Sequence, residues 1–462
     1  MRCEAIPVSS LLANRDFHLL WGSQALSRLG TQATAIALPL LVLKSTGSPA
    51  RAGVVGFAAG LTQALLLLPA GSAADRHAPR RILLSCDTIA AAAAAGLAVA
   101  AGFAHSSFLL ILALAMTLEA LGTIFVGAGG AAFRRVVPDD QLTGAVAVLE
   151  VRNSAVYLIG PALGGLLFAL APSLPFTVDA VTFALSVAAV AAIRTPLGRT
   201  PSAAPRPPII KDMMSGLVFL WRTRCLRFAA VTAGLMNFAF SAVFFAVIVG
   251  SSRRGGGLPT GVLISCAGAG SLAGALVSAR AKELLPPRAV IAGIAFVCAA
   301  AVTAMAATTN PVAVGILITI STLAVPTANV VIGAAEIHLT PADMQGRVQT
   351  SSSFLAICLE PAGALAAGLL LSALPLWQTF AAFGAVLAAV AVACLTSRAA
   401  GQLPDLRART RAAAQREPET NTVPETSPTP ATNTAPETNP APETYTESET
   451  ETEAAAEPET AR

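Results

Sequence analysis

The sequence predicts an all-α membrane protein of twelve transmembrane helices, arranged as two halves of six. Of its 462 residues, 54% are hydrophobic and only 12% are charged, and the mean hydropathy is +0.67. Soluble domains carry ~25% charged residues, so this composition is typical of a chain that crosses a bilayer many times. Twelve apolar segments and an internal repeat indicate the same fold class.

Each predicted span is a mostly apolar segment of about 20 residues, the length at which a helix crosses a bilayer. Gly/Pro breaks such as Gly47-Ser48-Pro49 and Asn310-Pro311 separate neighbouring segments. The predicted spans are 17–43, 52–73, 82–104, 108–132, 146–171, 175–193, 226–249, 259–279, 289–307, 311–335, 348–372 and 376–396.

The basic residues between the spans predict the orientation. With the N-terminus inside, the exterior loops contain only Lys44, Arg51, Arg253 and Arg254, and the other basic loops face the cytoplasm. Lys and Arg are enriched in cytoplasmic loops, so we expect a multi-pass protein of the plasma (cell inner) membrane with both termini cytoplasmic. No apolar run precedes Leu19, so we expect no cleavable signal peptide.

Four parts are predicted along the chain. Residues 1–194 and 226–398 form the two six-helix halves, and residues 195–225 form a cytoplasmic linker that is first proline-rich and then an amphipathic helix. Residues 399–462 form a tail that is first basic and then acidic, with eleven Glu against one Arg from Glu417 onward. Such a composition cannot support a core, so we expect the tail to be disordered.

The two halves resemble each other. Val137-Pro138-Asp139-Asp140 leads into a span that carries Gly160-Pro161, and Thr340-Pro341-Ala342-Asp343 leads into one that carries Glu360-Pro361. Because each half has an even number of spans, both halves keep the same orientation, as in transporters built from parallel repeats.

The joint between spans two and three carries a motif of one glycine, one acid and three basic residues. Its residues are Gly71, Asp75, Arg76, Arg80 and Arg81. Together with the twelve spans, the repeat and the linker, this joint resembles the major facilitator superfamily over roughly residues 14–400. Ala78 and Pro79 depart from the family pattern, which prefers Gly and a further basic residue there. The resemblance implies a transporter whose joint acts as a cytoplasmic gate; the alternative is a joint that only determines topology.

A second motif lies in span five. Its residues Gly160, Pro161, Gly164 and Gly165 are similar to the signature of the family's antiporter branch. Asn14–Phe17, Ala37–Val42 and Pro175–Ala180 are similar to segments of bacterial exporters of the macrolide-efflux and siderophore-efflux (transmembrane secretion effector) type. This resemblance implies export driven by proton antiport.

Ionisable side chains inside spans are costly, so each is a functional candidate. The candidates for proton coupling are Arg28, Glu119, Glu150 and Glu360. The resemblance implies that spans one and four line the cavity, so we expect Arg28 to pair with Glu119; a purely structural pair is the alternative. Glu150 also fits a snorkelling residue, and Glu360 fits a proton carrier or a neutral hydrogen-bonding residue.

Two aspartates receive other assignments. Asp179 is expected to begin span six near the exterior, as a helix-start residue. Asp87, just past the joint, is expected to join the gate network.

Candidate cavity residues are Gln24, Gln32, Asn237 and Asn329. The second half has few charges, and it places Phe238, Phe240, Phe244 and Phe245 near its polar groups. An apolar cavity with few polar anchors suits a hydrophobic or amphipathic solute. Phenylalanines that face lipid are the alternative.

The sequence therefore predicts a secondary exporter of a hydrophobic drug-like molecule or secondary metabolite, driven by protons. Expected partners are the small-molecule substrate, protons and the lipid bilayer, with no nucleic acid; the sequence does not identify a protein partner. We expect no catalytic residues, metal or cofactor, because the chain has no GxxxxGK[ST] loop and its seven cysteines are scattered singly. The alternatives are an importer or facilitator of a small solute, and a non-transporting sensor or scaffold.

Overall fold

The computed structural model describes residues 14–103, 107–138, 141–196, 209–284, 287–341 and 344–397, without the side chains of 68, 71–76, 143, 209–213, 277 and 279–288. The proline-rich part of the predicted linker, from residue 197, and the predicted tail lie outside these residues.

Six long helices form the first half and run alternately between two ends of the bundle. They are α1 (Arg15–Thr46), α2 (Pro49–Arg76), α3 (Pro79–Gly102), α4 (Phe108–Val136), α5 (Leu142–Leu170) and α6 (Leu174–Ala191). Asn14 caps α1, with its Oδ1 accepting a hydrogen bond from Phe17 N, and Gly47 ends α1 in the left-handed region at φ 65°. We name the two ends of the bundle the Asn14 end and the Gly47 end.

The second half follows a short helix, α7 (Ile209–Arg222), that corresponds to the predicted amphipathic helix. Its helices are α8 (Arg224–Gly255), α9 (Gly257–Leu284), α10 (Pro287–Ala306), α11 (Pro311–Leu323), α12 (Val325–Leu339), α13 (Gln345–Cys358), α14 (Glu360–Ala373) and α15 (Leu376–Thr396). Counting α11 with α12 and α13 with α14, twelve apolar helices of membrane-spanning length are present in the described residues. The predicted number of spans is confirmed.

Two spans predicted as continuous are divided in the structure. The span at 311–335 becomes α11 and α12, which meet at Ala324, and the span at 348–372 becomes α13 and α14, which meet at Leu359. A proline lies in the first turn of each following helix, Pro326 in α12 and Pro361 in α14. Proline lacks the N–H that would continue the helical ladder, so the ladder ends just before each one.

The joint between spans two and three is shorter than the sequence indicates. Helix α2 continues through Asp75 to Arg76, and only His77 and Ala78 separate it from α3. Pro79 is the first residue of α3, a position where its missing N–H costs nothing.

Each half is held together by helix pairs, and two pairs make the most extensive contacts between the halves. In the first half α1 packs on α5 and α6, and α3 packs on α4 and α6. In the second half α8 packs on α14, α9 on α11, and α10 on α15. Between the halves α2 packs on α14 and α5 packs on α9. These two contacts frame the central region where the candidate residues lie.

Candidate functional site

Glycines bring α2 and α14 into backbone contact at the Gly47 end. A Cβ atom placed on Gly53 would lie 2.8 Å from the Ala364 carbonyl oxygen, and one on Gly60 would lie 2.7 Å from Pro361 Cγ. Larger side chains therefore do not fit between these helices. In a bilayer, such close approach of small residues is a main source of helix association.

The glycines of the span-five motif bring α5 into backbone contact with α1 and α9. A Cβ atom on Gly164 would lie 2.7 Å from Ala33 Cα of α1, and one on Gly261 of α9 would lie 3.0 Å from Gly165 Cα. The backbone N of Ala162, next to Pro161, donates to Ser265 Oγ of α9 at 3.0 Å. The motif thus joins α1, α5 and α9, and both contacts between the halves are closed towards the Gly47 end.

A polar cluster joins α1 to α5 nearer the Asn14 end. Arg152 is only 5% exposed, and its guanidinium donates to Gln24 Oε1 and to Asn153 Oδ1, at 3.1 Å each. Arg28 lies close enough to Arg152 for the two positive charges to interact. Gly129 of α4 leaves room for Gln24, since a Cβ atom there would lie 2.9 Å from Gln24 Nε2.

Sequence reasoning placed Gln24 and Arg28 in the site but missed Arg152. The available signal was its position well inside a predicted span, where a cation is costly.

Two acids from opposite halves lie near each other. Glu119 of α4 is half-buried and Glu360 is the exposed first residue of α14, and their carboxyl groups are close enough for their charges to interact. The expected ion pair between Arg28 and Glu119 is not formed: the charged group that acts on Glu119 is Glu360, while Arg28 lies by Arg152.

The break between α13 and α14 is stabilised by Asn237. Its Nδ2 donates to the carbonyl oxygen of Ala356 at 3.1 Å, one of the carbonyls in the last turn of α13. The ends of helices leave such carbonyls without intrahelical donors. Asn237 was predicted to line the cavity, and the structure gives it a contact with the last turn of α13.

The remaining cavity candidates lie apart. Asn329 is exposed on α12, and Gln32 is half-buried on α1, where its Cβ faces Gly160. The Phe238 ring packs edge-on against Phe383, with ring centroids 5.8 Å apart. Phe245 is buried in the core. The phenylalanines therefore contribute to packing within the second half as well as to any apolar wall.

Asp179 differs from its sequence assignment, and Asp87 is buried within the first half. Asp179 is the sixth residue of α6 and is 1% exposed; Thr34 Oγ1 of α1 donates to its Oδ2 at 2.7 Å. It is therefore a buried contact between α1 and α6, and the prediction of a helix-start residue is wrong. Asp87, also 1% exposed, lies beside Ser186 of α6, so it faces the interior of the first half.

The structure describes only part of the predicted gating motif. The side chains of Gly71, Asp75 and Arg76 lie outside the described residues. Arg80 Nη2 donates to the Ala191 carbonyl oxygen at 2.6 Å, which ties α3 to the end of α6, and Arg81 is exposed.

A second hydrogen-bonded contact at the Asn14 end, between Asp16 and Thr195, was not predicted. Asp16 Oδ2 accepts hydrogen bonds from Thr195 N at 2.7 Å and from Thr195 Oγ1 at 2.6 Å. This contact fastens the start of α1 to the residues that follow α6. Like the Arg80 contact, it lies within the first half.

Glu150, on α5, is exposed.

Comparisons with known proteins agree with this architecture. The family model described as Major Facilitator Superfamily matches residues 20–359. The multidrug efflux pump Tap of Mycobacterium tuberculosis (strain ATCC 25618 / H37Rv) is 30% identical over 226 residues, which cover 46% of this chain and 52% of that pump. Macrolide efflux protein A of Streptococcus pyogenes is 26% identical over 231 residues, covering 48% and 54%. The chain thus spans about half the length of these curated relatives.

Solved structures share the fold. The nucleoside transporter NupG superposes with a TM-score of 0.66 at 12% identity, covering 83% of this chain and 100% of that one. A bacterial homolog of the human lysosomal transporter Spinster, in an inward-facing and unoccupied conformation, superposes with a TM-score of 0.63 at 14% identity, covering 86% and 97%. Because the family model covers most of the chain and the twelve-helix architecture agrees with it, the chain belongs to the Major Facilitator Superfamily and is a multi-pass membrane protein.

Proposed function

We propose that the protein exports hydrophobic or amphipathic small molecules from the cytoplasm in exchange for protons. The named relatives that match part of this chain are efflux pumps, which supports export over import. The moving parts are the halves at 1–194 and 226–398, connected by 195–225. The gating motif Gly71, Asp75, Arg76, Arg80 and Arg81 stays a prediction within this proposal.

The charge distribution supports a plasma-membrane orientation with the Asn14 end in the cytoplasm. Among the described residues, the Gly47 end carries four basic residues: Lys44, Arg51, Arg253 and Arg254. The Asn14 end carries Arg15, Arg80, Arg81, Arg134, Arg135, Arg194, Arg222, Arg224, Arg227 and Arg347. Basic residues are retained on the cytoplasmic side. With this orientation, the closely packed Gly47 end faces the exterior.

The observation that carries the proposal is the apposition of Glu119 and Glu360. The two carboxyl groups come from opposite halves, and Glu360 lies close enough to Glu119 for its negative charge to act on that carboxyl group. A proton taken up by either one removes that repulsion. Because the halves move relative to each other during alternating access, the separation of the two groups changes with the state. Proton uptake is thereby linked to conformation, as an antiporter requires.

The same region suits an amphipathic substrate. Arg28 and Gln24 on α1 supply a small number of polar groups among mostly apolar helices, and Gln32 and Asn329 stay predictions within this proposal. Sites of this kind bury hydrophobic ligands and orient them with few hydrogen bonds.

The test is transport in inverted membrane vesicles under an imposed proton gradient, with macrolides and cationic dyes as substrates. Glu119→Gln and Glu360→Gln are expected to lose uphill export while they still exchange substrate downhill, because the amide cannot carry a proton. Glu336→Gln is the matched control: this acid lies near the Asn14 end of α12 and accepts a hydrogen bond from Ser352. Uphill export that survives in both site variants would overturn the coupling assignment. Glu150→Gln tests the third acidic candidate in the same assay.

A further inference from the structure

A basic cavity lies at the Asn14 end, where α7, α8 and α15 meet. Its volume is about 410 Å³, and it is lined by Trp221, Arg224, Arg227, Phe228, Val231 and Ser397. Trp221 is 50% exposed, and Arg224 is exposed at the first position of α8. Tryptophan and arginine together at the end of a membrane span are typical of the level of the lipid headgroups.

The cavity continues into an apolar groove that runs along the membrane-spanning part of the bundle. Phe228 and Val231 line both spaces. The groove has a volume of about 280 Å³, and its further walls include Leu235 of α8 and Val386 and Val390 of α15. A charged mouth therefore opens directly onto an apolar channel between two helices.

The mouth offers several groups that bind an anion. Arg227 Nη1 donates to the Trp221 carbonyl oxygen at 3.1 Å, which orients its guanidinium and uses one of its five donors. Thr223, the residue before α8, makes no side-chain cap. Its side chain therefore does not occupy the first backbone N–H groups of α8, and such groups at the start of a helix attract phosphate. Arginine binds phosphate oxygens in a two-pronged geometry.

We propose that this cavity and groove bind an anionic glycerophospholipid, with its phosphate at Arg224 and Arg227 and one acyl chain between α8 and α15. The continuity of the two spaces favours a lipid over a soluble phosphate, since a soluble anion has nothing to place in the apolar groove. Basic pockets between transmembrane helices are known to hold anionic headgroups. A bound lipid would connect α8 to α15 and brace α7, whose Gly216 packs against the backbone of Arg347 in α13.

The experiment measures lipid binding to the full-length protein in detergent by native mass spectrometry. The probes are phosphatidylglycerol and phosphatidylcholine with identical acyl chains, and inorganic phosphate. Phosphatidylglycerol is expected to bind more tightly than phosphatidylcholine. The double variant Arg224→Gln/Arg227→Gln is expected to lose that preference, with a drop in phosphatidylglycerol affinity of roughly tenfold, because each basic residue near an anionic headgroup contributes severalfold.

Two further variants make the test specific. Arg222→Gln removes the same charge from an exposed neighbour at the end of α7 that does not line the cavity, and it is expected to bind like the parent protein. Ala389→Phe/Ala393→Phe fills the groove from two exposed positions on α15, so it should fold normally and still lose phosphatidylglycerol.

Three results would overturn the proposal. The first is equal binding of the two lipids by the parent protein. The second is a loss in Arg222→Gln as large as that in the double arginine variant. The third is full competition by inorganic phosphate combined with unchanged binding in the filled-groove variant, since that pair of results identifies an anion site without a lipid chain.

Discussion

Buried carboxyl groups in the first half differ in how well they are satisfied. The Asp179 carboxyl group accepts a hydrogen bond from the Thr34 hydroxyl, Thr182 donates to the Asp179 backbone carbonyl oxygen at 2.8 Å, and Gly30 leaves the space that the carboxyl group occupies. The Asp87 Oδ2 atom is buried beside the Ser186 hydroxyl without a well-formed hydrogen bond to it. A satisfied buried acid stabilises a helix contact, whereas an unsatisfied one has a desolvation cost.

Replacing the two acids should therefore affect stability differently. Asp179→Ala removes the acceptor for the Thr34 hydroxyl and is expected to cost about 1–3 kcal/mol, which lowers the unfolding midpoint. Asp87→Asn keeps the size of the side chain, removes its charge and should leave the midpoint unchanged or raise it. Thermal unfolding in detergent can be followed with a thiol-reactive dye, because Cys298 and Cys394 are buried in the fold. An unchanged midpoint in Asp179→Ala would contradict the structural role.

At the scale of the helix, the break between α13 and α14 determines where Glu360 lies. Pro39 and Pro161 lie inside helices that remain continuous, so a proline in the sequence does not by itself divide a span. At Pro361 the break is supported from outside, because Asn237 donates to Ala356 and Gly60 packs against the proline ring. These contacts come from α8 and α2, far away in sequence.

Restoring a continuous helix should disturb coupling more than folding. Pro361→Ala supplies an N–H to the preceding turn and removes the ring that holds α2, so Glu360 is expected to turn away from Glu119. We expect the Pro361→Ala protein to fold at a normal yield and to lose most of its proton-driven export in vesicles. Pro311→Ala is the control, because this exposed proline begins α11, where proline interrupts no helix. Equal export by both variants would show that the break is not needed.

At the scale of the whole molecule, the contacts that hold the halves together at the Gly47 end depend on glycine. In α9, Gly261 packs against Gly165 and the carbonyl oxygen of Pro161 in α5. Nothing in these contacts is charged, so side-chain size controls this end of the bundle.

A larger residue there should shift the protein towards a state open at the Gly47 end. Gly261→Val would push α5 and α9 apart, whereas Gly293→Val on α10 enters open space and serves as the control. Spin labels at the exposed positions Leu170 and Leu258, in a background with the native cysteines replaced, report the separation by double electron–electron resonance. We expect a longer distance in Gly261→Val alone. The same distance distribution in both variants would argue against a glycine-dependent closure.

Much of the fold was predictable because long apolar segments report directly on membrane crossing. The twelve spans and the amphipathic helix before Arg224 follow from local hydrophobicity and proline position. The breaks before Pro326 and Pro361 were missed because the hydrophobic pattern continues through them. The site was predicted less completely, since Glu119 and Glu360 were both identified but were not expected to meet.

The sequence by itself determined the family, the number of spans and the residues that a membrane makes costly, because each depends on local composition or on a short motif. Only the tertiary structure decided which of those residues lie together. Arg28 lies by Arg152, Glu119 lies by Glu360, and Asp179 accepts from Thr34. The reason is geometric: each pairing depends on how helices distant in sequence are rotated and how closely they approach, and glycines such as Gly30 and Gly129 set that approach.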